Sequence, residues 1–226
     1  MFKIDIFEQS FNYFFEQEFE IDYNVEKLSK RSLMRTAEFD REQVLRAAIK
    51  AFITKGYNKT SMQDLKQATG LHPGSIYCAF DNKQGLLLAA LQQYNKDKAE
   101  LFQKYFTGNP TVLDGVRRYL ECTVQECAGM GAERVCLSQK ALSELALQAP
   151  DVEQFINEGI RDWQQGFANV FQQALEQGEI NGERSPMQRA QSLVMGIYGL
   201  RSYANTDPEE GVLAELASQL FKDVCR

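Results

Sequence analysis

The sequence predicts an all-α fold in two parts: an N-terminal three-helix bundle containing a helix-turn-helix, and a larger C-terminal helical domain. Three observations carry this expectation. From Asp40 onward, apolar residues recur three and four apart, the spacing of one buried helix face, and nowhere do they alternate with polar residues as a half-buried strand requires. The breaks between these stretches are residues that end or start helices: Gly56, Gly70 followed by Pro73, Gly108-Asn109-Pro110, Ala149-Pro150 and the NTDPEEG run. No unit repeats at a fixed period, which argues against a solenoid.

Residues 1–33 differ from the rest, with Phe2, Phe7, Phe11, Tyr13, Phe14, Phe15, Phe19 and Tyr23 set among acids. Two readings stand for this leader. It is an aromatic arm that docks on a partner subunit or covers a site, or the start is misassigned and the protein begins at Met34. The first confident helix starts at Asp40, a good N-cap, and runs to Gly56 with Val44, Leu45, Ala48, Ile49 and Phe52 inward.

The next stretch, Thr60 to Lys83, reads as two short helices joined by a tight turn. Ser61 can cap the first, which carries Met62, Leu65, Ala68 and Thr69 at helical spacing. Gly70 stops it by taking the left-handed conformation, Leu71 turns back to the core, and Pro73 opens the second helix, where no N–H is needed. Burial of Ile76 and Phe80, four apart, leaves His72, Gly74, Ser75 and Tyr77 outward or sideways. Lys55, Lys59, Thr60 and Ser61 gather at the entry of the first helix, where hydroxyls, free N–H groups and the positive helix end favour a phosphate. Asp81-Asn82 then cap a long helix from Lys83 to about Tyr105, carrying Leu86, Leu87, Ala90, Leu91 and Tyr94.

Within Arg41 to Leu88, the run KGYNKTSMQDLKQATGLHPGSIYCAFDNKQGLL resembles the DNA-binding domain of TetR/AcrR-type transcriptional repressors. The likeness rests on the Gly56-Tyr57…Thr60-Ser61 entry, the Ala68-Thr69-Gly70-Leu71 turn, the Gly74-Ser75…Tyr77 helix and the Phe80…Lys83 exit, all in one register. The resemblance implies a cytoplasmic homodimer that reads a palindromic double-stranded DNA operator and is released by a small-molecule effector. It implies that Tyr77, Lys83, Thr60 and Ser61 hold phosphates, while His72, Gly74 and Ser75 lie nearest base edges; Lys59 and Pro73 complete the expected DNA-binding set. The family usually has Ser or Thr near His72 as a cap, so histidine there bears on base preference. With the break at Gly108-Asn109-Pro110 as the boundary, the expected division is leader 1–33, helix-turn-helix domain 34–83, linking helix 84–107, and a part 108–226 that the resemblance makes the ligand-binding and dimerisation domain.

In that last part, helices are expected at about 111–128, 134–148, 151–178, 187–205 and 209–225. The third carries Phe155, Ile156, Ile160, Trp163, Phe167, Val170, Phe171 and Ala174; the fourth carries Ala190, Leu193, Val194, Ile197, Leu200 and Ala204. Their near-heptad spacing suits a four-helix seam with a symmetry mate, with internal packing as the competing reading. Gly196 and Gly199 fit the seam, because a mid-helix glycine calls for a compensating close contact.

The chain of 226 residues has a net charge of −6, but the charge is uneven: residues 1–29 sum to −5, residues 30–83 to +5 and residues 84–226 to −6. The basic segment holds the helix pair, and a local positive face is what phosphate binding needs. No run of eighteen apolar residues suggests a membrane span. Five cysteines without a C-x-x-C pair fit reduced thiols. With His72 the only histidine and no nucleophile or phosphate-loop motif, neither an enzyme, a metal site nor a cofactor is expected.

The effector candidates are Cys136, Trp163, Phe167 and Cys122. RVCLSQKALSELA resembles a segment of a TetR subgroup that includes the repressor responsive to N-ethylmaleimide and reactive aldehydes, where the matching cysteine senses; the competing reading of Cys136 is a small buried hydrophobe. A thiol beside Arg134 or Lys140 would gain thiolate character. Trp163 is either core or the wall of an apolar cavity. A helical dimeric adaptor that does not bind DNA is the alternative function.

Overall fold

The computed structural model describes residues 39–129, 134–145 and 148–226. The leader, apart from its readings above, lies outside the described residues. Among the described residues there are nine helices and no strand: α1 (Arg41–Lys55), α2 (Met62–Thr69), α3 (Pro73–Phe80), α4 (Lys83–Phe106), α5 (Val112–Ala128), α6 (Leu137–Leu145), α7 (Pro150–Glu176), α8 (Pro186–Ala204) and α9 (Val212–Cys225). All belong to one compact unit, Arg41–Arg226. None of these helices is long and apolar enough to cross a membrane.

In plan, an N-terminal helix-turn-helix unit is followed by a larger helical part. In the first, Val44, Leu45, Ala48, Ile49 and Phe52 of α1 are buried with Leu65 of α2 and Ile76 and Phe80 of α3. Ser61 caps α2 through a capping box, its hydroxyl accepting from the Asp64 N–H while the Asp64 carboxylate accepts from the Ser61 N–H. Gly70 ends α2 at φ 73°, in the left-handed region. The turn to α4 differs from expectation. Asp81 takes φ 63° as the end of α3, and Asn82 alone caps α4, its side-chain oxygen accepting from Gly85 N–H at 2.9 Å.

From α4 onward the helices enclose a second core. Phe102 of α4 meets Phe106 and Tyr119 and stands edge-on to Phe167 of α7, ring centres 5.0 Å apart. α7 runs along α8, and α9 packs on α8 and α5. The apolar rows expected to meet a symmetry mate are largely consumed inside the chain: Phe167, Val170, Phe171 and Ala174 of α7, with Leu193, Val194, Ile197 and Ala204 of α8, are all buried in the single subunit. Gly196 is likewise internal, since a Cβ there would collide with Leu220 of α9, whereas Gly199 faces open space. α9 starts later than expected, at Val212, because Gly211 occupies the N-cap at φ 91°. α6 covers only Leu137–Leu145 of the expected 134–148, with residues 130–133 and 146–147 outside the described set.

Candidate nucleic-acid interface

The candidate interface is one side of α3 and what borders it. Ile76, fully buried, and Phe80 pin α3 to the core, so Gly74, Ser75, Tyr77 and Cys78 turn outward. Tyr77 is 48% exposed, one of the few large hydrophobic side chains left in solvent. His72 is the N-cap of α3 but contributes only its carbonyl, which accepts from Ser75 and Ile76; its side chain makes no capping bond and stays exposed beside Pro73. A Cβ at Gly74 would meet nothing within 4 Å, so the helix surface is open to a close-approaching partner at that point.

The bordering cations sit on two elements. Lys59 is exposed in the loop before α2. Lys83, in the first turn of α4, holds its ammonium 4.3 Å from the centre of the Tyr57 ring. Partial burial lowers the Lys83 pKa, against the pull of the Glu144 carboxylate, which raises it.

Two expected phosphate ligands are placed otherwise. Thr60 is 1% exposed and donates its hydroxyl to the Gly56 carbonyl at 2.5 Å, while its N–H is taken by the Gly56 and Tyr57 carbonyls. It closes the loop after α1 instead of facing outward, because a hydroxyl on the core side must find an acceptor. Ser61 is exposed, yet its hydroxyl donates to the Asp64 carboxylate at 2.7 Å. That carboxylate also binds Lys55 at 2.6 Å, and Lys55 followed by Ser61 holds Asp64 far below the ordinary carboxylate range. Asp64 thus occupies the positive end of α2, where an anion was expected. The signal was legible as the S-x-x-D spacing of a capping box. The exposed Cys78 was not singled out from sequence, although it lies four residues past Gly74 on the same open side.

The second domain holds a small cavity lined by Lys98, Tyr105, Tyr119, Thr123, Glu126 and Arg201, with Leu101. Glu126 receives Lys98 at 3.1 Å and Arg201 at 2.5 Å, linking α4, α5 and α8. Burial pushes the Glu126 pKa up, but the Lys98 charge and the Arg201 bond outweigh it and leave the group below its ordinary value. Burial raises the Tyr119 phenol well above its usual range. None of the four effector residues expected from sequence lines this cavity. Trp163 and Phe167 stand one ring behind it, 6.4 and 5.1 Å from Tyr119 centre to centre. Cys122 adjoins Tyr105, whose phenol is raised by burial and then by that thiol. Cys136 is half-buried against Tyr94, whose phenol is raised by burial and then by that thiol. The cations expected beside Cys136 are committed elsewhere: Arg134 donates to the carbonyls of Cys127 and Ala204, and Lys140 to that of Ile53. Sequence reasoning missed the Lys98–Glu126–Arg201 network. Its trace was Arg201 standing four residues beyond Ile197 and eight beyond Leu193, a charge within an apolar row.

Comparison with known proteins gives three kinds of likeness. Residues 44–90 match the model of the bacterial regulatory proteins of the tetR family. The HTH-type transcriptional repressor ComR of Escherichia coli is 28% identical over 143 residues, which is 56% of this chain and 68% of ComR. Among solved structures, the TetR family regulator CifR, as a cysteine mutant complexed with 26-base-pair operator DNA, superposes with a TM-score of 0.74 at 22% identity, covering 83% of this chain and 98% of that one. The reduced form of E. coli NemR superposes with a TM-score of 0.70 at 19% identity, covering 80% of this chain and 94% of NemR.

Proposed function

Since residues 44–90 form a TetR-family N-terminal domain within a TetR-like all-α fold, we infer that the chain is a sequence-specific DNA-binding transcriptional regulator, a repressor that a small effector releases from a palindromic operator. The observation that carries this reading is the outward side of α3, where Tyr77, Ser75 and Gly74 stand open next to the cations Lys59 and Lys83. A helix so presented fits the major groove, with its N-terminal residues toward base edges and the flanking cations toward phosphates. The reading contains no catalytic step. A second copy has a surface to meet: Met195, Gly199 and Tyr203, four apart on α8, leave an exposed stripe with Leu216 of α9 nearby. Two heads related by two-fold symmetry then address half-sites in successive grooves.

The test is a gel shift at two salt concentrations with a duplex that the chain selects from a random pool. Tyr77→Ala should weaken binding to every duplex by a similar factor, and Lys83→Ala should in addition reduce the salt slope by about 1. Ser75→Ala or His72→Ala should instead change which sequence is preferred, because only base edges carry sequence information. A folded Tyr77→Ala protein with full affinity would remove α3 from the interface. Duplex affinity without steep salt dependence would favour the helical adaptor.

The effector is either a reversible ligand bound beside Trp163 or an electrophile, and the half-buried thiol of Cys136 against Tyr94 supports the electrophile. Maleimide treatment of wild type and Cys136→Ser separates them. Release of duplex from wild type alone would assign sensing to Cys136. Equal behaviour of the two proteins would make Cys136 a core residue and the effector a reversible ligand bound beside Trp163.

A further inference from the structure

We propose that α6 is a positioning element for DNA binding, using Lys140 and Glu144 to hold the loop that leads into Lys59 and supports the Lys83 ammonium through Tyr57. The proposal rests on the reading of the chain as a DNA-binding regulator. Lys140 and Glu144 are four residues apart and so share one side of α6. The Lys140 ammonium donates to the Ile53 carbonyl at 2.7 Å. Ile53 lies in the last turn of α1, where carbonyls have no helical partner, so the cation caps the negative end of that helix. The Glu144 carboxylate accepts from the Asn58 backbone N–H at 2.8 Å. It reaches that group by lying flat against Gly56, where any Cβ would collide with it, and Gly56 is held at φ 83°. A glycine is therefore required here twice, for its backbone conformation and for the closeness of Glu144.

The two contacts bracket Gly56 to Asn58, and that short loop is the root of the interface. Tyr57 within it supports the Lys83 ammonium, Lys59 follows directly, and Ser61 starts α2. Shifting Glu144 would thus shift Lys59 and the ring beneath the Lys83 ammonium together, although Glu144 is itself no DNA ligand. Toward α4, α1 is tied by Arg46 to Asp97 at 2.8 Å and by Lys96 to Glu42 at 2.8 Å. These pairs are largely solvent-exposed and so hold orientation weakly, especially in salt. The Lys140 and Glu144 contacts end on backbone groups, which cannot swing to follow a moving partner. At its other end, α6 opens on Cys136, whose carbonyl accepts the Lys140 N–H at 3.0 Å and whose thiol lies against Tyr94 of α4. One short helix therefore touches the second domain at its start and the DNA-reading unit along its length.

Glu144→Ala in the full chain, probed with the duplex that wild type selects from a random pool, tests the proposal. Affinity should fall about tenfold with the salt slope unchanged, since no phosphate contact is removed, and amide exchange at Asn58 should speed up about tenfold or more. Removing a negative charge near phosphates would on electrostatic grounds alone strengthen binding, so a loss cannot come from charge. Glu144→Gln, which keeps an oxygen acceptor, should recover most of the affinity and of the Asn58 protection. Glu144→Ala that binds as well as wild type, or better, overturns the proposal, as does wild-type exchange at Asn58. If Glu144→Ala unfolds, Lys140→Ala carries the same comparison, with loss of affinity at constant salt slope expected. A wild-type chain that selects no duplex at all would sink the regulator reading instead, while Asn58 exchange still decides whether Glu144 holds the loop.

Discussion

Phe167→Ala should lower the unfolding free energy by about 3–5 kcal/mol and the thermal midpoint by about 10 °C for a chain of this size. Phe167 is fully buried, and its ring stands edge-on to Phe102, Phe106 and Tyr119, with Trp163 tilted at 5.9 Å. Those rings come from α4, α5 and α7, three elements whose backbones cannot all move inward to fill the vacated space. The loss therefore exceeds what transfer of the ring from water alone accounts for. Phe167→Leu, which keeps most of the volume, should cost about 1.5 kcal/mol or less. Chemical denaturation of the three proteins checks this, and a Phe167→Ala variant within 1 kcal/mol of wild type would mean that the cluster does not hold the second domain together.

Glu126→Ala should be destabilising by about 1.5–3 kcal/mol at neutral pH, the cost of taking a charged partner from the buried Arg201 in a half-buried ion pair. Arg201 is a buried cation that meets Glu126 at 2.5 Å, and Lys98 approaches the same carboxylate from α4. The pH dependence has a definite sign. The Glu126 pKa is depressed in the folded chain, burial opposing the shift and the two cations prevailing, so its contribution is present above the unfolded value of about 4.3. That contribution is lost as pH falls through the lower folded value. Unfolding free energies measured between pH 7 and pH 3 should thus decline more steeply for wild type than for Glu126→Gln, which has no proton to bind there. Parallel curves would show that the network contributes nothing to acid sensitivity.

The helix-turn-helix was legible because its determinants are local. Ser61 and Asp64 cap one another across a single turn, Gly70 ends α2 through its own φ, and Pro73 opens α3 with a missing N–H. Ile76 and Phe80 follow from spacing alone, and their burial fixes by subtraction which side of α3 faces out. The same locality leaves the partners of hydroxyls at a helix entry undetermined. Thr60 and Ser61 both carry hydroxyls at a helix entry, but only the fold reveals that Thr60 points at Gly56 and that Asp64 already answers Ser61. In the second domain, a near-heptad row cannot say which helix it meets. α7 and α8 satisfy one another within the chain, and Gly196 serves α9.

By itself, then, the sequence determined the all-α class, the helix pair with its outward residues, the basic segment around it and the order of the helices. These depend on hydrogen bonds, caps and apolar spacing within about one turn of the chain. Only the tertiary structure decided that Glu126 gathers Lys98 and Arg201 into the cavity, that Cys136 lies against Tyr94, and that Lys140 and Glu144 reach back to Ile53 and Asn58. Each of these joins residues far apart in the chain. Their pairing is set by which helix faces pack together, and a buried charge or backbone group must then find its partner among whatever that packing brings near.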